Sequence, residues 1–181
     1  LAQANDTVVR QKLSQPLPAY APADYFETLG ELAMDAKPAQ PEVALRAMQR
    51  AVAIDPSRAF AWANIAWLET APTGHVTPDA QKALEASMAA CTLCDPDLVG
   101  WRFNFVLAHW ADMPEATKRM AFEQADMLRW KGDRAEFLAG MRIKAEAAGI
   151  PYADYRNAVK TPVRKWELGP TAAVPAAPPA P

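Results

Sequence analysis

Apolar residues recur along much of this chain at three- and four-residue steps, the spacing that puts side chains on one face of an α-helix. After Pro41, which suits a first helical position, Ala44, Leu45, Met48, Ala51 and Val52 fall on one stripe. Asp55-Pro56 stops that helix, and Ser57 is placed to cap the next, which carries Phe60, Ile65, Ala66 and Leu68. Residues 70–78 hold Pro72, Gly74 and Pro78 and read as a loop. Thr77 caps a further helix with Ala80, Leu84, Met88 and Cys91 at steps of four, four and three, and Asp95-Pro96 stops it. A helix follows Pro114, with Met120, Ala121, Ala125 and Leu128, and closes at Gly132. Asp133 caps another that runs from Arg134 to about Ala148, and a short one follows Pro151 through Tyr155. The pattern predicts an all-α fold.

Composition divides the chain into three zones. Residues 1–23 end in the Pro-rich stretch Gln15-Pro16-Leu17-Pro18-Ala19-Tyr20-Ala21-Pro22 and read as an extended arm. Residues 24–158 are rich in Ala, Leu, Met, Glu, Arg and Trp, which favour helix. Residues 159–181 are Pro- and Ala-rich, low in complexity towards the end, and read as a flexible or partner-docked tail.

The two Asp-Pro stops belong to a repeat. Ala51-Val52-Ala53-Ile54-Asp55-Pro56-Ser57 aligns with Cys91-Thr92-Leu93-Cys94-Asp95-Pro96-Asp97 at a period of 40 residues, and aromatics follow each stop. Such a period in helical sequence predicts stacked helix pairs. The pattern resembles a tetratricopeptide repeat over about residues 24–130. Phe26, Leu29 and Gly30 match the first helix of that family, and Ala44, Met48, Ala51 and Pro56 the second. Trp62, Ile65 and Ala66, then Leu84, Met88, Cys91 and Pro96, form a second unit. A degenerate third begins at Trp101 with Asn104 and Phe105 and lacks the closing Asp-Pro. The resemblance implies a short right-handed α-solenoid of helix hairpins.

Charge excludes some functions. The net charge is −2. The first twenty residues carry +1 and residues 159–181 carry +2, which leaves −5 for the body. Such a surface lacks the basic footprint of a nucleic-acid binder. No run approaches the roughly 18 apolar residues of a membrane span.

Candidate chemistry is sparse. Cys91 and Cys94 close a helix, where its negative end favours thiol over thiolate. They read as structural residues, as a disulfide, or as a redox pair. Two cysteines and two histidines, His75 and His109, stand at no metal-ligand or catalytic spacing. Phosphate-loop glycine motifs are missing, so no catalytic residue, cofactor or metal is expected. Trp62 and Trp67, five apart, cannot face one neighbour, so one of them is expected at the surface or against a partner. With Trp101 and Trp166 they form the candidate partner-binding set. Trp166 lies in the polar tail segment Val163-Arg164-Lys165-Trp166-Glu167-Leu168, which points to docking on this chain or another.

The expected function is a non-catalytic protein–protein interaction scaffold, or an accessory subunit of a larger complex. Leu1-Ala2-Gln3-Ala4 ends in the Ala-x-Ala step of a signal-peptide cleavage site, or carries it by chance in an Ala-rich chain. The first alternative places the protein in the periplasm or on a membrane anchor upstream of this chain, rather than in the cytoplasm. The family resemblance then implies an accessory subunit of bacterial envelope machinery. A thiol redox protein using Cys91 and Cys94 is the remaining alternative.

Overall fold

The structure, a computed structural model, describes residues 9, 11–93, 95–128 and 135–158. Among these residues all regular structure is helical. The helices are α1 (Ala23–Asp35), α2 (Pro41–Ile54), α3 (Ala59–Thr70), α4 (Pro78–Ala90), α5 (Pro96–Ala108), α6 (Glu115–Met127), α7 (Ala135–Ala147) and α8 (152–158), with a 3-10 turn at Trp110–Asp112 between α5 and α6. Short connections make sequential helices antiparallel neighbours. The pairs α1–α2, α3–α4, α2–α3 and α5–α6 form the principal helix contacts. None of these helices is long and apolar enough to cross a membrane.

Helix boundaries follow the local chemistry. Pro41, Pro78 and Pro96 each occupy the first turn, where the missing N–H is no loss. Thr77 caps α4 by accepting a hydrogen bond from the Ala80 N–H at 3.0 Å. The Asp-Pro steps do more than stop a helix. Asp95 caps α5, its carboxylate accepting from the N–H groups of Asp97 and Leu98. Asp55 accepts from both the N–H and the hydroxyl of Ser57. Ser57 is therefore not the cap of α3, contrary to expectation. Its hydroxyl is used by Asp55, and Arg58 precedes α3 with no side-chain cap bond. The N-terminal arm is also not extended throughout: residues 11–13 are helical, and Leu13 is buried in the core.

One core runs through the stack. Phe26, Met48, Leu84, Val99, Phe103 and Val106 are almost wholly buried. Alanines at Ala44, Ala47, Ala51, Ala61, Ala66 and Ala83 let helix axes approach closely. Gly30 marks the tightest point: a Cβ there would lie 2.7 Å from Met48 Cε and 3.0 Å from its Cγ. A second aromatic cluster closes the C-terminal end, where Phe103, Phe122, Tyr152, Tyr155 and Trp110 meet at edge-on, tilted and stacked angles. Lys118 Nζ lies 4.5 Å above the Trp110 ring. Gly132 and Asp133, the expected boundary between α6 and α7, lie outside the described residues.

Gly30→Val should cost about 1–3 kcal/mol, because Met48 is fully enclosed and cannot yield without disturbing α1–α2 packing. Urea denaturation of the two proteins measures it, and an unchanged midpoint would contradict the close approach.

Candidate functional site

Helix α3 sits in the middle of the stack and is apolar on almost every side. Ala59 and Ala63 pack on Leu98, with Ala90, Cys91 and Trp101 around them. Ala61, Ile65, Ala66 and Leu68 join the main core. Two open sides remain between these contacts. At 100° per residue, Phe60, Asn64 and Trp67 share one, while Trp62, Ile65 and Glu69 share the other. Phe60 is 45% and Trp67 46% exposed, high values for such large apolar side chains.

The Trp62 side opens into a groove of about 550 Å³ between α2, α3 and α4. Val52, Ala53, Ile65, Ala83 and Ala86 line it with Trp62, and Glu69, Asp79 and Lys82 rim it. The Trp62 indole N–H donates to the Pro56 carbonyl at 3.0 Å, which fixes the ring. Lys82 and Asp79 pair at 3.6 Å on the rim.

Just before Phe60, Arg58 reaches the first carboxylates of a row on α1. Asp24, Glu27, Glu31 and Asp35 follow at steps of three and four. Arg58 partly offsets its first carboxylates, pairing with Asp24, with Glu27 at 3.1 Å and with Asp55 at 2.8 Å. These bonds bring the start of α3 beside the start of α1. The Ser57 hydroxyl and then Arg58 hold the Asp55 carboxyl below its ordinary value. Further along, the charges are not balanced. Partial burial, then the neighbouring Glu27 and Asp35, raises Glu31. Among the described residues no cation pairs with Glu31 or Asp35. On the far flank, Trp101 of α5 is half-buried, stacked on Phe105 at 5.1 Å. Asn104 lies one turn along and accepts from Lys144 of α7 at 3.5 Å. Aromatic rings flanked by unbalanced carboxylates make this surface able to bind apolar and cationic groups together.

Of the expected partner-binding tryptophans, Trp67 is exposed, Trp62 lies half-buried on the opposite side of α3, and Trp101 stands beside the exposed face. Trp166 lies outside the described residues. Phe60, expected among the apolar residues of this helix and not in the partner-binding set, is exposed and completes the face. Its seven-residue spacing from Trp67 is the signal that identifies it.

Two polar constellations elsewhere serve packing. Arg102 is 1% exposed, on the otherwise apolar α5. It donates to the Ser87 carbonyl at 2.5 Å, the Ser87 hydroxyl at 3.0 Å, the Cys91 carbonyl at 2.7 Å and Gln124 Oε1 at 3.3 Å. The guanidinium thus closes the carbonyl-rich end of α4, where a positive charge is favoured. Burial lowers its pKa to about 10, so it remains charged at neutral pH. The Ser87 hydroxyl in turn donates to the Ala59 carbonyl at 2.6 Å, so the network reaches α3. Sequence reading missed Arg102, although an arginine amid Leu98, Val99, Phe103 and Val106 was its signal. Cys91 ends α4 and is disulfide-bonded; the chain's other cysteine, Cys94, lies outside the described residues.

His75 Nδ1 lies 3.3 Å from Asp112, which also accepts the Val76 N–H at 3.1 Å. That backbone bond, then His75, lowers the Asp112 pKa. The pair pins the loop before α4 to the 3-10 turn, and the His75 side chain is 81% exposed. Among the described residues no group of three or more His, Cys, Asp or Glu side chains is arranged to hold a metal ion. No protein-family model, curated protein or solved structure matches the chain significantly.

Arg102→Met should destabilise the protein by about 3 kcal/mol, because buried carbonyls of Ser87 and Cys91 lose their donor. Chemical denaturation reads this directly, and a neutral substitution would show that the network holds nothing together.

A pH effect follows at the other end. The Tyr155 hydroxyl donates to Glu115 at 2.7 Å and is the main cause holding that carboxyl below its ordinary value of 4.5. The unfolded chain therefore takes up this proton first on acidification. The stabilisation is present above 4.5 and is lost as pH falls through the lowered value. Tyr155→Phe should lose less stability than the parent between about pH 5 and pH 3. Parallel denaturation curves at those two values test it; equal losses refute it.

Proposed function

We propose that this chain is a non-catalytic protein–protein interaction scaffold, or an accessory subunit of a larger complex. Its helix pairs are read as a short right-handed tetratricopeptide-like α-solenoid. Supporting that reading are the two Asp-Pro turns at a 40-residue period and the packing of successive helices in adjacent pairs. The observation that carries the functional reading is the exposure of Phe60 and Trp67 on the central helix, beside the carboxylate row of α1. Rigid, half-exposed aromatics are efficient anchors for a protein ligand, since they bury much area while little side-chain freedom is lost. The ligand they suit presents apolar and basic side chains together.

A second reading, an exported or membrane-anchored accessory subunit of bacterial envelope machinery, is favoured by the disulfide at Cys91. Disulfides persist in oxidising compartments and are rare in the cytosol. Alkylation of the protein in intact cells of its source distinguishes the two. Cysteines that react only after reduction support export, and cysteines that react at once refute it.

Partner retention tests the main reading. Protein purified gently from its source should keep a defined set of polypeptides that the Phe60→Ala/Trp67→Ala variant loses at least tenfold. Both side chains are half-exposed, so the variant should keep the parental circular dichroism spectrum. Equal retention by the two proteins would overturn the assignment of this face.

A further inference from the structure

The exposed face of α1 and α3 has an occupant of matching chemistry within the same chain. We propose that the tail segment 160–168 docks on it, with Trp166 against Phe60 and Trp67 and with Arg164 and Lys165 beside Glu31 and Asp35. The inference rests on reading this face as an interaction surface, and it names what covers the face in the isolated chain.

Charge is the first argument. Arg58 is shared among Asp24, Glu27 and Asp55, one positive charge against three negative, and no described cation pairs with Glu31 or Asp35, so the row stays net negative and its second half has no counter-charge. Glu31 is pushed upward by burial and by its acidic neighbours, and a cation placed there would relieve that repulsion. Lys160, Arg164 and Lys165, with Glu167, give the tail a net +2. They flank the tail's single tryptophan.

The aromatic pair is the second argument. Phe60 and Trp67 lie about two turns apart on one side of α3 and leave Asn64 between them. An indole laid between them would bury apolar area on all three rings and gain favourable ring–ring geometry. Arginine and lysine beside the same rings would add cation–π attraction.

Reach is the third. Helix α8, described as far as Ala158, packs its Tyr152 on Phe103 of α5 and on Phe122 of α6. Trp101 joins α5 to α3, and Arg58 joins α3 to α1. The α1 row is therefore separated from α5 by α3. The eight residues from Ala158 to Trp166 span up to about 26 Å when extended. Pro162 within the segment and Pro170 just after it disfavour helix, so less freedom is lost on docking.

Zero-length carbodiimide cross-linking of the full chain, which joins amines only to carboxylates in contact, tests this. In the isolated monomer, Lys165 or Lys160 should be joined to Glu31 or Asp35. The yield should fall at least fivefold in Trp166→Ala and in Phe60→Ala/Trp67→Ala. Any of three results would overturn the proposal. Links could spread evenly to distant carboxylates such as Asp79 and Glu136, persist unchanged in Trp166→Ala, or occur only in a cross-linked dimer. Because this experiment needs no partner, its failure leaves the interaction-surface reading to be judged by partner retention alone.

Discussion

A helix that is packed on two opposite edges must be apolar on both, and this constraint on α3 organises the molecule. Ala59 and Ala63 face α5, while Ala61, Ile65 and Leu68 join the core that α1 and α2 share. Small residues are needed on both edges, because each neighbouring helix has to come close. Side chains between the edges then face either a groove or solvent. Trp62 falls in the groove, and Phe60 and Trp67 fall outside. The exposed aromatics thus occupy a strip of α3 that none of the described helices covers.

Arginines fasten the junctions between hairpins. Arg58 ties the α2–α3 turn to α1, and Arg102 ties the end of α4 to α5 and α6. Arg156 ties α8 to Asp126 of α6 at 3.3 Å. The three sites differ in physical character. Arg58 is in partial contact with water, so its ion pairs are screened and contribute modestly. Arg102 is enclosed, and its partners are neutral carbonyls, a hydroxyl and an amide. Its removal strands those groups in a dry seam, so its importance comes from what it satisfies as much as from its charge.

Much of the helical layout was legible because its punctuation is local. Proline at a first helical position, Thr77 as a cap and the Asp-Pro steps act within a few residues. Ser57 misled because Asp55 two residues earlier competes for its hydroxyl, and sequence spacing does not reveal which acceptor wins. In α5, Trp101, where the third unit was expected to begin, is half-buried, while Leu98, Val99, Arg102, Phe103, Phe105 and Val106 are among the buried residues. Trp101 is turned towards α3 instead. The candidate face was half legible: spacing separated Trp62 from Trp67, but only tertiary packing decides which of the two is left open.

The carboxylate row bears on why that strip stays open. Glu27, Glu31 and Asp35 stand on successive turns of α1, and like charges at that spacing destabilise a helix. Arg58 relieves the first turn alone. A sequence selected only for stability would place a lysine near Glu31, or replace Phe60 and Trp67 with polar residues. Arg58 links the helices that carry the two local conflicts. Departures from local consistency of this kind gather where a protein keeps a surface for something other than its own fold. Unrelieved negative charge and uncovered rings have a common remedy, which is a ligand that carries cations and an aromatic or aliphatic anchor together.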